Sequence, residues 1–123
     1  MTGTARCVVR RDEELLVEED IDGERAFRPL GRRVGDGETP EAAVEQEFSD
    51  VLGVGLNGLS SPGTYAGVRV FEADADAAWV YAEEGFTVYD PESGETTRVC
   101  WLHADDFRKY GEKLRPEGLL GDL

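Results

Sequence analysis

The passage from Gly31 to Gly53 constrains this chain most, because a glycine-punctuated loop there feeds directly into a strongly signalled helix. The loop Gly31-Arg32-Arg33-Val34-Gly35-Asp36-Gly37-Glu38 has glycine wherever a turn would be obstructed by a side chain. Thr39 then supplies an N-cap hydroxyl, Pro40 suits the first helical position, and Glu41 brings negative charge to the first turn. Val44, Phe48, Val51 and Leu52 recur at i, i+4, i+7 and i+8, which predicts a helix to about Leu52 with one apolar face and a stop at Gly53. Glu45, Gln46 and Asp50 lie away from the centre of that face.

The flanks read as strands. Thr4 to Asp20 reads as a hairpin turning at Arg11-Asp12-Glu13, and Ala26–Leu30 as a third short strand before the helix. Beyond it, Val54–Leu59, Tyr65–Phe71, Ala77–Ala82 and Thr97–Leu102 have strand composition, with a turn-rich Asp90-Pro91-Glu92-Ser93-Gly94 before the last. Early Asp105 and Asp106 and late Arg108 and Lys109 match a helix dipole from about Ala104 to Tyr110. The expected fold class is α+β, a mixed or antiparallel sheet flanked by two helices. With 123 residues and no repeat or linker, one domain over 1–123 is expected.

Composition narrows the partners. A net charge of −14 argues against duplex nucleic acid, whose phosphates need a basic face, while leaving room for a bound nucleotide. Acidity spread along the chain, with lysine only at 109 and 113, reads as adaptation to a salt-rich host, where self-repulsion is screened. No apolar run nears the roughly 20 residues of a membrane span and the N-terminus resembles no signal peptide, so the expected location is cytoplasmic, with no membrane partner. Cys7 and Cys100 sit among β-branched neighbours as reduced small hydrophobes, and the single His103 supports neither a histidine metal site nor a Ser-His-Asp triad.

From Gly31 to Val54 the chain resembles the Nudix box, Gly-x5-Glu-x7-Arg-Glu-U-x-Glu-Glu-x-Gly-U, where U is a bulky apolar residue. Set without gaps, Glu38 takes the first Glu, Glu47 the second, Phe48 the U, Asp50 and Val51 the Glu pair, and Gly53-Val54 the end. Phe27-Arg28-Pro29-Leu30-Gly31 resembles the lead-in of one Nudix subgroup, and Trp101-Leu102 and Leu114-Arg115-Pro116-Glu117-Gly118-Leu119-Leu120 its C-terminal segment. The resemblance implies an α/β/α sandwich on a central mixed sheet. It further implies a metal-dependent hydrolase of a nucleoside diphosphate linked to another group, using Mg²⁺ or Mn²⁺, or no metal if hydrolysis is lost. Carboxylates at i, i+3 and i+4 project to one side of a helix and can hold such an ion against phosphoryl oxygens and water.

By that resemblance Glu47 and Asp50 are the metal ligands, with Glu38, Glu47 and Asp50 the catalytic set. The box is degenerate: Val51 cannot bind a cation, Gln46 replaces the orienting Arg, Arg32 stands where Gly begins the box, and Gly35 replaces a frequent Glu. Arg28, Arg32 and Arg33 are the candidate contacts to substrate phosphates, although Arg32 and Arg33 could equally repel a metal.

Alternatives stand beside each assignment. Glu38, Glu47 and Asp50 are also explained as loop and surface acids, Arg28 as a strand-edge cation, and Val51 as a widening of the core face. Trp79, Tyr81, Tyr65 and Phe71 read as core or cleft wall ahead of base-stacking groups, and Glu83 or Glu84 as a distant carboxylate or surface loop. The alternative function is a Nudix-fold module that binds a phosphorylated or nucleotide ligand, or a protein partner, without catalysis. Oligomeric state stays open.

Overall fold

The computed structural model describes residues 3–20, 24–89 and 94–123. Its elements are β1 (Thr4–Val8), β2 (Arg10–Arg11), β3 (Glu14–Asp20), β4 (Ala26–Arg33), α1 (Pro40–Leu52), β5 (Leu56–Asn57), β6 (Gly63–Tyr65), β7 (Val68–Glu72), β8 (Asp74–Ala75), α2 (Ala78–Ala82), β9 (Gly85–Tyr89), β10 (Thr96–His103) and α3 (Ala104–Arg108), ending in a 3-10 turn at Leu120–Asp122. The main sheet runs β6-β7-β1-β4-β3-β10-β9, with β2 on β3 and β5–β8 a separate pair. β1 and β7 are parallel, while β1–β4, β3–β4 and β3–β10 are antiparallel, so the sheet is mixed. None of the described helices is long and apolar enough to cross a membrane.

Alternation along the strands sends side chains to two apolar clusters. Cys7, Leu16 and Leu30 join Ala43, Val44, Phe48 and Leu52 of α1 on one face, whereas Val8, Leu15, Val17 and Phe27 join Phe107 and Leu119 on the other. Helix α1 forms as its signals predict: the Thr39 side chain accepts from the Ala42 amide, Pro40 opens the helix, and Gly53 closes it at φ 69°. Val51 is half-buried and packs against the core beside Leu52.

Strand β4 organises the rest because it changes partners midway. Residues 26–29 pair with β3, whereas 30–33 pair with β1. The switch falls at Pro29, which has no N–H to give a ladder, and the Pro29 carbonyl is taken by the Arg6 guanidinium at 3.0 Å. The side of β4 not taken by β3 receives the C-terminal chain: the Phe27 amide donates to the Lys113 carbonyl, and the Arg115 amide to the Phe27 carbonyl. β1 and the 113–115 segment therefore leave a fork along β4. At Gly31 the β1 backbone comes so close that a Cβ would sit 2.1 Å from the Ala5 oxygen and 2.6 Å from the Arg6 Cα.

Several local expectations change. The hairpin expected over Thr4–Asp20 is confined to β2 and the start of β3; β1 instead lies between β4 and β7, where both its edges are paired. The segment expected as loop from Gly31 is strand through Arg33, because β1 supplies its ladder. Tyr65–Phe71 is not one strand: Ala66 at φ 50° and Gly67 at φ 81° turn the chain between β6 and β7. Of Val54–Leu59 only Leu56–Asn57 is strand.

Residues expected as a strand at Ala77–Ala82 form α2, and the place beside β10 goes to β9, which the sequence reading did not name. Trp101 Nε1 donates to the Val80 carbonyl at 3.0 Å and the Ala75 amide donates to Tyr81 Oη at 2.8 Å, so tertiary bonds hold the helical turn against its strand propensity. Helix α3 stops at Arg108, short of the expected Tyr110. The turns expected at 20–24 and 90–94 fall largely outside the described residues. Both cysteines are buried in strands and unpaired with each other; burial pushes the Cys7 thiol up to about 12 and raises that of Cys100.

Candidate functional site

The box residues are carried by the end of β4, the 34–39 loop and α1. Glu38 is tied down within its own loop: its Oε1 accepts from the Gly35 amide at 3.0 Å and its Oε2 from Arg32 Nη2 at 2.6 Å. The Gly35 bond first, and the Arg32 guanidinium with it, hold the Glu38 carboxyl below the ordinary carboxylate range. Asp50 is exposed and accepts from Gln46 Nε2 at 2.7 Å one helical turn away. Val51 is half-buried and packs against the core. Glu47 is buried at 8% exposure, and its charge acts on Arg6 across α1 and β1. The two helix carboxylates thus lie in different settings, one inside and one in solvent.

That arrangement bears on the implied Mg²⁺ or Mn²⁺. Among the described residues no three Asp, Glu, His or Cys side chains gather closely enough to hold a metal ion. Glu38 is engaged by an arginine, Asp50 by an amide, and the third helical position is apolar, so the donor set does not fit a divalent cation.

The described arginines gather elsewhere. Arg6 on β1 is 9% exposed, and its Nη1 donates to Glu18 Oε1 at 3.0 Å. Arg28 on β4 places its Nε 3.0 Å from the same Glu18 oxygen and its Nη1 3.2 Å from Asp20 Oδ2. Register explains the meeting: Glu18 and Arg28 are cross-strand partners on β3 and β4, and Arg6 lies over Gly31. Burial, and then the positive charge of Arg28, push the Arg6 guanidinium below its ordinary value, opposed by Glu18. A cavity of about 310 Å³ opens onto this group, lined by Thr4, Arg6, Asp20, Arg28, Ala66, Val68, Arg115, Pro116 and Glu117.

No family model matches the sequence, and no curated protein does. Solved structures do match. A solution structure of the E. coli ORF135 protein superposes over 94% of this chain and 81% of its own, with a TM-score of 0.56 at 13% identity. A Nudix hydrolase from Nitrosomonas europaea superposes over 97% of this chain and 82% of its own, with a TM-score of 0.58 at 18% identity. The fold is the Nudix fold. At these identities the likeness speaks for architecture, and the chemistry rests on the side chains.

On this Nudix fold the expected site residues divide into two groups. Glu38 and Arg32 meet each other, while Arg33 is exposed at the end of β4. Arg28 instead shares Glu18 with Arg6 and lines the fork cavity with Arg6 and Arg115; Arg6, Glu18 and Arg115 carry no site assignment from the sequence. Arg6 had a readable signal, a charge inside the otherwise apolar run Ala5–Val9, where burial requires a partner. Glu18 and Arg115 had none, because only the pairing of β3 with β4 and the return of the C-terminal chain bring them there.

Proposed function

We propose that this chain is a Nudix-fold module that binds a phosphorylated or nucleotide ligand and lacks efficient metal-dependent hydrolysis. The observation that carries this reading is the dispersal of the box carboxylates: Glu38 bound to Arg32, Asp50 bound to Gln46, and the apolar Val51, half-buried against the core, in the third helical position. A diphosphate hydrolase needs carboxylates converging on a cation that neutralises the phosphoryl oxygens and activates water. Here the available positive charge comes from guanidinium groups, which bind phosphate without activating a nucleophile. The Nudix hydrolase reading shares the fold, and the carboxylates it retains are Glu38, Glu47 and Asp50.

The deciding experiment measures phosphate release from nucleoside di- and triphosphates and nucleotide sugars, with and without Mg²⁺ or Mn²⁺, in wild type, Glu47→Gln and Val51→Glu. Molar KCl suits a chain of net charge −14. The expected result is a ligand-dependent rise in Tm without turnover in the wild type. Metal-dependent turnover abolished by Glu47→Gln would overturn the proposal and restore the hydrolase.

A further inference from the structure

We propose that the outer edge of β9 is a docking site for an extended, basic segment of a partner protein, which adds to the sheet as a further strand. The two ends of the main sheet differ: β6 has three residues, whereas β9 has five, Gly85–Tyr89, with no charge and no proline to blunt its edge. The ladder fixes which groups face outward. The Trp101 amide donates to the Glu84 carbonyl, next in register after Cys100 and Gly85, and bonded pairs alternate along an antiparallel ladder. Phe86 and Val88 therefore bond to β10, while Gly85, Thr87 and Tyr89 turn their N–H and C=O groups away from it. Among the described residues nothing else hydrogen-bonds to those outward groups.

The side chains beside this edge suit an incoming strand. Of the large apolar side chains exposed among the described residues, Trp79, Tyr89 and Tyr110, two belong to this edge: Tyr89 is 60% exposed within it, and Trp79, 43% exposed, has its ring 5.3 Å from that of Phe86. A cavity of about 340 Å³ is lined by Glu84, Gly85, Phe86, Thr87 and Arg98. Gly85 brings no side chain to it and the Arg98 guanidinium can stack on a ring, so it takes an aromatic side chain from the residue opposite Gly85. Charge selects the partner. Glu83 and Glu84 are exposed where β9 begins, Glu84 holding Arg11 at 3.0 Å through one oxygen, and Asp90 and Glu92 follow in the sequence. A second copy, itself at net charge −14, would bring the same acidic flanks together; a segment with Lys or Arg at its ends meets them with opposite charge.

The test titrates the ¹⁵N-labelled chain with the peptide Lys-Lys-Thr-Val-Thr-Phe-Thr-Lys-Lys, which lies antiparallel with its Val opposite Thr87 and its Phe opposite Gly85. Amide shifts are expected at residues 83–89 and 96–98, with affinity falling as KCl rises. N-methylation of the peptide at Val and Phe, whose amides face β9, leaves its charge unchanged and should weaken binding about tenfold. Thr87→Pro should do likewise, since the lost amide points outward and β10 keeps its ladder. Glu83→Lys, at an exposed position, should weaken binding roughly fivefold. An N-methylated peptide that binds as well as the parent would overturn strand addition. Shifts confined to β4 and α1 would place the peptide in the cleft and overturn the site, as would no shift at all. Self-association that shifts residues 85–89 without peptide, and is lost in Thr87→Pro, would give the edge to a second copy and overturn the basic partner.

Discussion

The box loop and the β4 fork both pair arginine with glutamate, yet they share out the contacts differently. At the loop Arg32 donates to Glu38, which the Gly35 amide also holds. At the fork a single Glu18 oxygen serves both Arg6 and Arg28, and Arg115 adds a third cation at the rim. The fork is balanced as well, with Glu18, Asp20 and Glu117 against its three cations, but there two guanidiniums share one carboxylate oxygen. Among the described residues the box carboxylates thus do not gather into a metal-binding set.

The comparison breaks first at Glu18. Removing this buried carboxylate leaves the buried Arg6 guanidinium without its carboxylate partner and Arg28 with Asp20 alone, so Glu18→Ala should cost about 3 kcal/mol or more in urea unfolding; a loss below about 1 kcal/mol would mean the fork is solvated and its charges independent. Gly31→Ala probes the close approach that lays Arg6 across β4. Its Cβ would meet the Ala5 oxygen at 2.1 Å, so a loss of about 1–3 kcal/mol is expected in the same assay. A neutral result would show that β1 can move away from β4 without penalty.

Two smaller effects sharpen the box side. Because the folded state holds the Glu38 carboxyl below its ordinary range, its contribution is present at neutral pH and is lost as pH falls through that range and below. The stability difference between wild type and Glu38→Gln, measured from pH 7 to pH 3, should shrink toward zero at the acid end; a difference that persists there would put its origin outside ionisation. Asp50→Asn, at an exposed position, should change stability by less than about 0.5 kcal/mol. A larger loss would give Asp50 a structural duty that the Gln46 contact does not account for.

Legibility in the sequence followed the range of the interactions. Helix α1 was readable end to end, since Thr39, Pro40, Gly53 and the Val44–Phe48–Leu52 stripe act within a few residues of one another. The buried cysteines were readable for the same reason, and the strand expected over Thr97–Leu102 is present as Thr96–His103. Strand β9 and the helical turn α2 were not, because Ala77–Ala82 has the composition of a strand and only the bonds donated by Trp101 and Ala75 decide otherwise. The box positions could be numbered from spacing, but spacing does not say that Glu47 is buried while Asp50 faces water.

What the sequence determined by itself was therefore the local grammar: the capped helix after a glycine loop, the α+β class, and a box whose third helical carboxylate is missing. The tertiary structure decided where the charges act. Arg6, Glu18, Arg28 and Arg115 are separated along the chain and meet only because β4 trades β3 for β1 at Pro29 and the C-terminal segment returns to Phe27. Backbone ladders set that register, and a ladder is closed by residues far apart in sequence, so no local pattern could announce the group it brings together.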